Sequence, residues 1–176
     1  MSAGAGEAPP PAPIIVTALL GAADHAALTA ERRRYFPPER NHLDAHLTLF
    51  HHLPPSSAPE LARRLREATA GPPPEARLSG LISLGKGVAY RVESPGLAVI
   101  RAELCEAFVG LLTPQDRAGW RAHVTIQNKV APEVARALLS ELQVGFTPRP
   151  LAIAGLAAWW YRGGPWEPLS ARMFRG

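Results

Sequence analysis

Two five-residue runs, Ala45-His46-Leu47-Thr48-Leu49 and Ala122-His123-Val124-Thr125-Ile126, constrain this chain more than any other feature. Each is short, apolar and strand-forming, with one His and one Thr set into it. In a strand, residues two apart project from the same face. His46 and Thr48 therefore point one way and Leu47 and Leu49 the other, and His123 and Thr125 stand against Val124 and Ile126 in the same manner. One face suits a hydrophobic core. The other offers an imidazole beside a hydroxyl, which suits proton handling next to an anionic oxygen.

The segments after the two runs also repeat. Ala58-Pro59-Glu60-Leu61-Ala62-Arg63 comes after the first and Ala131-Pro132-Glu133-Val134-Ala135-Arg136 after the second. Motif strand and helix start recur in the same order, which is an internal duplication. Two such halves, around residues 46–93 and 123–174, can face both imidazoles into one cleft about a pseudo-twofold axis.

Two H-x-T strands in a duplicated chain of this size resemble the two-histidine (2H) phosphoesterases, the superfamily of bacterial 2′-5′ RNA ligases and 2′,3′-cyclic nucleotide phosphodiesterases. The resemblance covers about Ile14 to Phe174. It implies an α+β fold of two pseudo-symmetric lobes, two mostly antiparallel sheets with flanking helices and a central cleft. It also implies a metal-independent, cofactor-free cyclic phosphodiesterase acting on RNA ends or cyclic nucleotides, with reversible 2′-5′ RNA ligation as a related activity. His46 and His123 carry over as general acid and base, in an order the sequence leaves open. Thr48 and Thr125 carry over as phosphate-binding hydroxyls. The chemistry is coherent without a metal, because imidazole has an ordinary pKa of ~6.5 and both its forms coexist near neutrality.

The flanks depart from the common family form, with His51-His52 after the first motif and Gln127-Asn128-Lys129 after the second. If the strands stay regular, His52, Gln127 and Lys129 share the parity of the motif residues. Lys129 is then a candidate for a second phosphate, equally well read as a solvated lysine at a strand end. Arg121 is a candidate phosphate contact. Tyr90 and the cluster Trp159-Trp160-Tyr161 are candidates for stacking a base, although adjacent aromatics on a strand point to opposite faces.

The remaining chain reads as strand 14–20, helix 22–35, a capping box at Ser57-Ala58-Pro59-Glu60 opening a helix to about Ala70, and a hairpin of 76–84 and 87–93. A helix over 97–112, the polar loop Thr113–Arg121, a helix over Pro132–Leu142 and closing strands near 149–161 and 167–174 complete it. Residues 1–13 are expected to be a disordered tail, and 14–176 one domain. No export signal or apolar run of membrane-spanning length is present in the sequence, so a cytoplasmic monomer is expected. The net charge of +4 favours an anionic partner modestly. The single Cys105 excludes an intrachain disulfide and a Cys-based zinc site.

Two other classes compete. His42, His46, His51 and His52 lie close in sequence and could ligate a metal, although His51 and His52 project oppositely on a regular strand. A binding module for RNA without turnover would also use a basic cleft, but Arg or Lys would serve it better than paired His and Thr.

Overall fold

The computed structural model describes residues 11–176. Its elements run β1 (Ile14–Leu20), α1 (Ala22–Tyr35), β2 (Leu47–Leu53), α2 (Ala58–Ala68), β3 (Arg77–Ser83), β4 (Val88–Glu93) and α3 (Pro95–Ala107). They continue with α4 (Pro114–Arg117), β5 (His123–Gln127), α5 (Pro132–Gly145), β6 (Arg149–Pro150), β7 (Ile153–Trp160) and β8 (Glu167–Met173). The fold is α+β. All strand pairings are antiparallel, in the order β6-β3-β4-β5-β2-β1-β7-β8.

The strands form one eight-stranded sheet where two were expected. Its two wings meet at the middle, where β2 and β5 pair through Leu47 and Val124, the central residues of the two motifs. The sequential halves are also exchanged between the wings. The β3–β4 hairpin, which comes after the first motif, lies beside β5 of the second, while β7 and β8 lie beside β1. Beyond the central pair, β2 is flanked by β1 and β5 by β4.

The alternation read from the sequence sets the core. Val16, Ala18, Leu47, Tyr90, Val92 and Val124 present one face of the sheet to Leu28, Leu61, Leu65, Leu97, Leu104 and Leu138 of the helices. Leu28, Leu47, Leu65, Leu97 and Val124 have no exposed surface and Leu61 almost none, each worth roughly 1.5–3 kcal/mol of burial. Gly87 lets the β3–β4 turn close on β5, since a Cβ there would overlap the Gln127 carbonyl oxygen.

Several local expectations fail for identifiable reasons. Ser57 is not an N-cap box residue. A 3₁₀ turn over Pro55–Ser57 precedes α2, so the Ser57 hydroxyl donates to the Pro54 carbonyl at 2.5 Å. Glu60 instead accepts from Arg63 and Arg64. Helix α3 begins at the Ser94 cap, whose Oγ accepts from the Leu97 N–H. It stops at Ala107, before the turn in which Gly110 takes φ 86°, and Leu111 is left exposed. The polar loop over 113–121 contains α4, capped by Thr113.

The expected tail lies outside the described residues as far as residue 10. Beyond it, Ala12 is buried and the Pro13 carbonyl accepts from the Tyr161 N–H. Among the described residues no helix is long and apolar enough to cross a membrane.

Candidate active site

The pairing of Leu47 with Val124 brings the two motifs side by side in opposite directions. Continued one residue either way, this register sets His46 opposite Thr125 and Thr48 opposite His123. Each imidazole then has the other motif's hydroxyl across from it, and the two imidazoles lie on a diagonal, a relation worth about 7–8 Å between strand positions. All four side chains are half-buried, while Leu47, Leu49, Val124 and Ile126 are fully buried on the other side. His46 and His123 are close enough for their charges to interact.

The same local device orients both imidazoles. His46 Nδ1 lies 2.8 Å from the Asp44 carbonyl oxygen, and His123 Nδ1 lies 2.6 Å from that of Arg121. A carbonyl only accepts, so each Nδ1 carries the hydrogen and donates it. Each Nε2 is left as the nitrogen that gains or loses the working proton.

Burial pushes the His46 imidazole down to about 4; the Asp44 carbonyl opposes this, and the Arg32, His123 and His51 charges add to it. His46 is therefore neutral in the free protein at pH 7. Because the folded value lies below the unfolded one of ~6.5, its contribution to stability is complete above that pH and is lost as pH falls toward 4. A ¹³C or ¹⁵N imidazole titration is expected to place His46 near 4 in the free protein. Inorganic phosphate in the cleft should raise it, with proton uptake at pH 5, because a nearby anion favours the imidazolium. A His46 titration at the ordinary value that phosphate does not move would contradict this account.

Two buried arginines brace the motif strands from the helix side. Arg32 of α1 donates from Nη1 to the Thr125 carbonyl at 3.2 Å and from Nε to Asn41 Oδ1 at 2.8 Å, and stacks on Phe36. Arg101 of α3 donates from Nε to the Leu49 carbonyl at 3.2 Å and from Nη2 to the Asp116 carbonyl at 2.7 Å, over the Phe50 ring. The Trp120 indole N–H donates to the Thr48 carbonyl at 3.0 Å. The sequence signal for Arg32 was its spacing of four from buried Leu28, which sets it on the buried stripe of α1.

Beyond each Thr the strands leave regular alternation. On β2, Thr17 pairs with Thr48 but Val16 with Phe50, and Ile14 with Leu53, so His51 and His52 share the space opposite Ile15. On β5, Ala89 pairs with Thr125 but Val88 with Gln127. Gln127 consequently faces the core beside buried Val88 and is itself buried. Lys129 lies outside β5, in a turn at φ 62°, so strand parity does not carry it to the cleft. Tyr90 pairs with Val124 on the core face, and its hydroxyl donates to Glu31 Oε2 at 2.8 Å. It is packed on the side of the sheet opposite the motif residues and cannot stack a base there. Arg121 is exposed and provides the carbonyl that orients His123. Arg91, paired with His123, shares its face.

Two further residues of the site, Asp116 and Trp166, were not read from the sequence. Asp116 is buried and takes the His51 and His52 backbone N–H groups and His51 Nδ1, all within 3.0 Å. Its burial pushes the carboxyl up, but these hydrogen bonds outweigh that and hold it below the usual carboxylate range. His51 is thereby fixed as a third imidazole near His46. Trp166, in the turn before β8, packs edge-on against His46 with ring centroids 4.8 Å apart.

Comparison with known proteins agrees with this architecture. The chain is similar in structure to TT0787 of Thermus thermophilus, at TM-score 0.62 and 20% identity over 93% of this chain and 98% of that one. It is similar to E. coli LigT complexed with 3′-AMP, at TM-score 0.61 and 17% identity over 95% and 100%. LigT complexed with NADP+ matches at TM-score 0.58 and 18% identity over 94% and 99%. A search of curated proteins finds no match. The family model of the 2′-5′ RNA ligase superfamily matches residues 21–165, a span that holds both His-x-Thr strands, and the chain belongs to that superfamily of two-histidine phosphoesterases.

Proposed function

We propose that this protein is a metal-independent phosphodiesterase that opens 2′,3′-cyclic phosphates at RNA ends or on nucleotides by attack of water, a 5′-hydroxyl in place of water giving reversible 2′-5′ ligation. The observation that carries the reading is the pairing of the two motifs through Leu47 and Val124. It gathers two imidazoles and two hydroxyls on one face, with both Nδ1 hydrogens tied to carbonyls. A phosphorus atom held over that face meets an Nε2 on either side, as in-line displacement requires.

One imidazole takes the proton of the attacking water. The other gives its proton to the departing ribose oxygen, and each is restored by exchange with solvent. Thr48 and Thr125 donate to the non-bridging oxygens as charge develops on them, and Arg91 and Arg121 flank His123 for the phosphate or the RNA backbone. The two wings are then related by an approximate twofold axis through the central pair. LigT, a relative in fold, is known in complex with 3′-AMP, NADP+ and ATP, which supports a nucleotide as the class of ligand.

Among the described residues no three of His, Cys, Asp and Glu are gathered as metal ligands. Hydrolysis of adenosine 2′,3′-cyclic phosphate and of an RNA ending in a cyclic phosphate is expected to persist in excess chelator. Loss of activity in chelator with rescue by zinc would replace this reading with a metal-bound hydroxide, and tight RNA binding without turnover would replace it with a binding module.

A further inference from the structure

A pocket of about 340 Å³ opens directly beside His46. Thr17 lies on its floor, Trp159 and Trp166 line it, and His25, His42 and Asp44 complete its lining. Trp159 and Trp166 stand 6.3 Å apart and tilted by 48°, so they are not stacked on each other. The Trp159 indole N–H is already satisfied by Thr17 Oγ1 at 2.9 Å, which leaves its ring as a fixed apolar wall. Asp44 is exposed and is held only loosely, 3.6 Å from His25 and 3.7 Å from Arg33. Its carboxylate remains able to accept from a ligand's N–H groups.

Flat aromatic walls with an acceptor in the lining suit a planar heterocycle, and the volume suits one such ring with its sugar. The positions flanking His123 on the other wing are Ala89, opposite Thr125, and Arg91, opposite His123 itself. Neither carries an aromatic side chain. A base therefore has a binding wall on the His46 side and a cation on the His123 side.

Resting on the phosphodiesterase reading, we propose that the Trp159–Trp166 pocket is the nucleobase subsite, and that it receives the base of the nucleoside whose ribose bears the cyclic phosphate. Stacking is tolerant of base identity but grows with ring area, so purines bind better than pyrimidines. This fixes the polarity of the substrate in an otherwise near-symmetric cleft.

The test compares adenosine 2′,3′-cyclic phosphate with glycerol 1,2-cyclic phosphate, which presents a five-membered cyclic phosphate and no base. Trp166→Ala should lower kcat/KM for the adenosine substrate by roughly 10- to 100-fold more than for the glycerol one, chiefly through KM. Trp166→Phe should restore most of the difference. Equal losses on both substrates would mean that Trp166 acts only by packing on His46, and no loss on either would remove it from the site. Both results overturn the proposal. In parallel, the Trp166 indole N–H resonance should shift with adenosine 2′-phosphate and not with inorganic phosphate. If the wild-type protein hydrolyses neither substrate but the indole still shifts, the phosphodiesterase reading fails while the base subsite stands. An indole that ignores the nucleotide rejects the subsite.

Discussion

His46→Ala and His123→Ala should each lower kcat for hydrolysis of a 2′,3′-cyclic phosphate by roughly 10²–10⁴-fold, the span of a lost general acid or base. Each change removes an imidazole whose Nδ1–H is tied to a backbone carbonyl, leaving Nε2 for the proposed proton transfer. The double variant should be little worse than either single one, because base and acid act together in one displacement and losing either already disables it. Thr48→Ala and Thr125→Ala should cost less, since each removes one neutral donor. Steady-state kinetics on folded variants, verified by circular dichroism, would decide the matter. Near-wild-type turnover in either His variant would end the two-imidazole mechanism.

The second large effect is expected on stability. Asp116→Ala should destabilise the fold by about 2–4 kcal/mol, seen as a lower denaturation midpoint in urea at unchanged slope. The register shift between Val16 and Ile14 puts His51 and His52 opposite a single residue of β1, so the ladder there cannot take both backbone N–H groups. The Asp116 carboxylate takes both, and His51 Nδ1 as well. Removing it strands these donors at the end of the strand that carries His46. Asp116→Asn keeps one acceptor oxygen and should cost less. Because the Asp116 pKa is depressed in the fold, the stabilisation is complete above the ordinary carboxylate pKa of ~3.9 and is lost as pH falls through the folded value. A change below about 0.5 kcal/mol for Asp116→Ala would show that water replaces the carboxylate without penalty.

The sequence by itself determined the motif strands, their core and cleft faces and the family. Those readings rest on local facts, namely a side-chain period of two, strand-forming residue types and a repeated order of elements. Leu47 and Val124 are buried and His46, Thr48, His123 and Thr125 are half-buried, as alternation required.

Alternation stopped being a guide after Thr48 and Thr125, where pairing with β1 and β4 slips by one residue. A one-residue slip moves a side chain to the other face, which is why Gln127 turned inward. Lys129 fell outside the strand altogether. Register was decided by neighbouring strands and by Asp116, 65 residues away from His51 in sequence, and no local pattern encodes either.

Tyr90 and Trp166 owe their places to the same cause. Tyr90 joined Val124 in the core because the β4–β5 register set them side by side. Trp166 reached His46 because β7 and β8 return to the wing that holds β2 and β1. The residues able to do the chemistry could be read one strand at a time, whereas the residues that orient and surround them depended on which strands became neighbours.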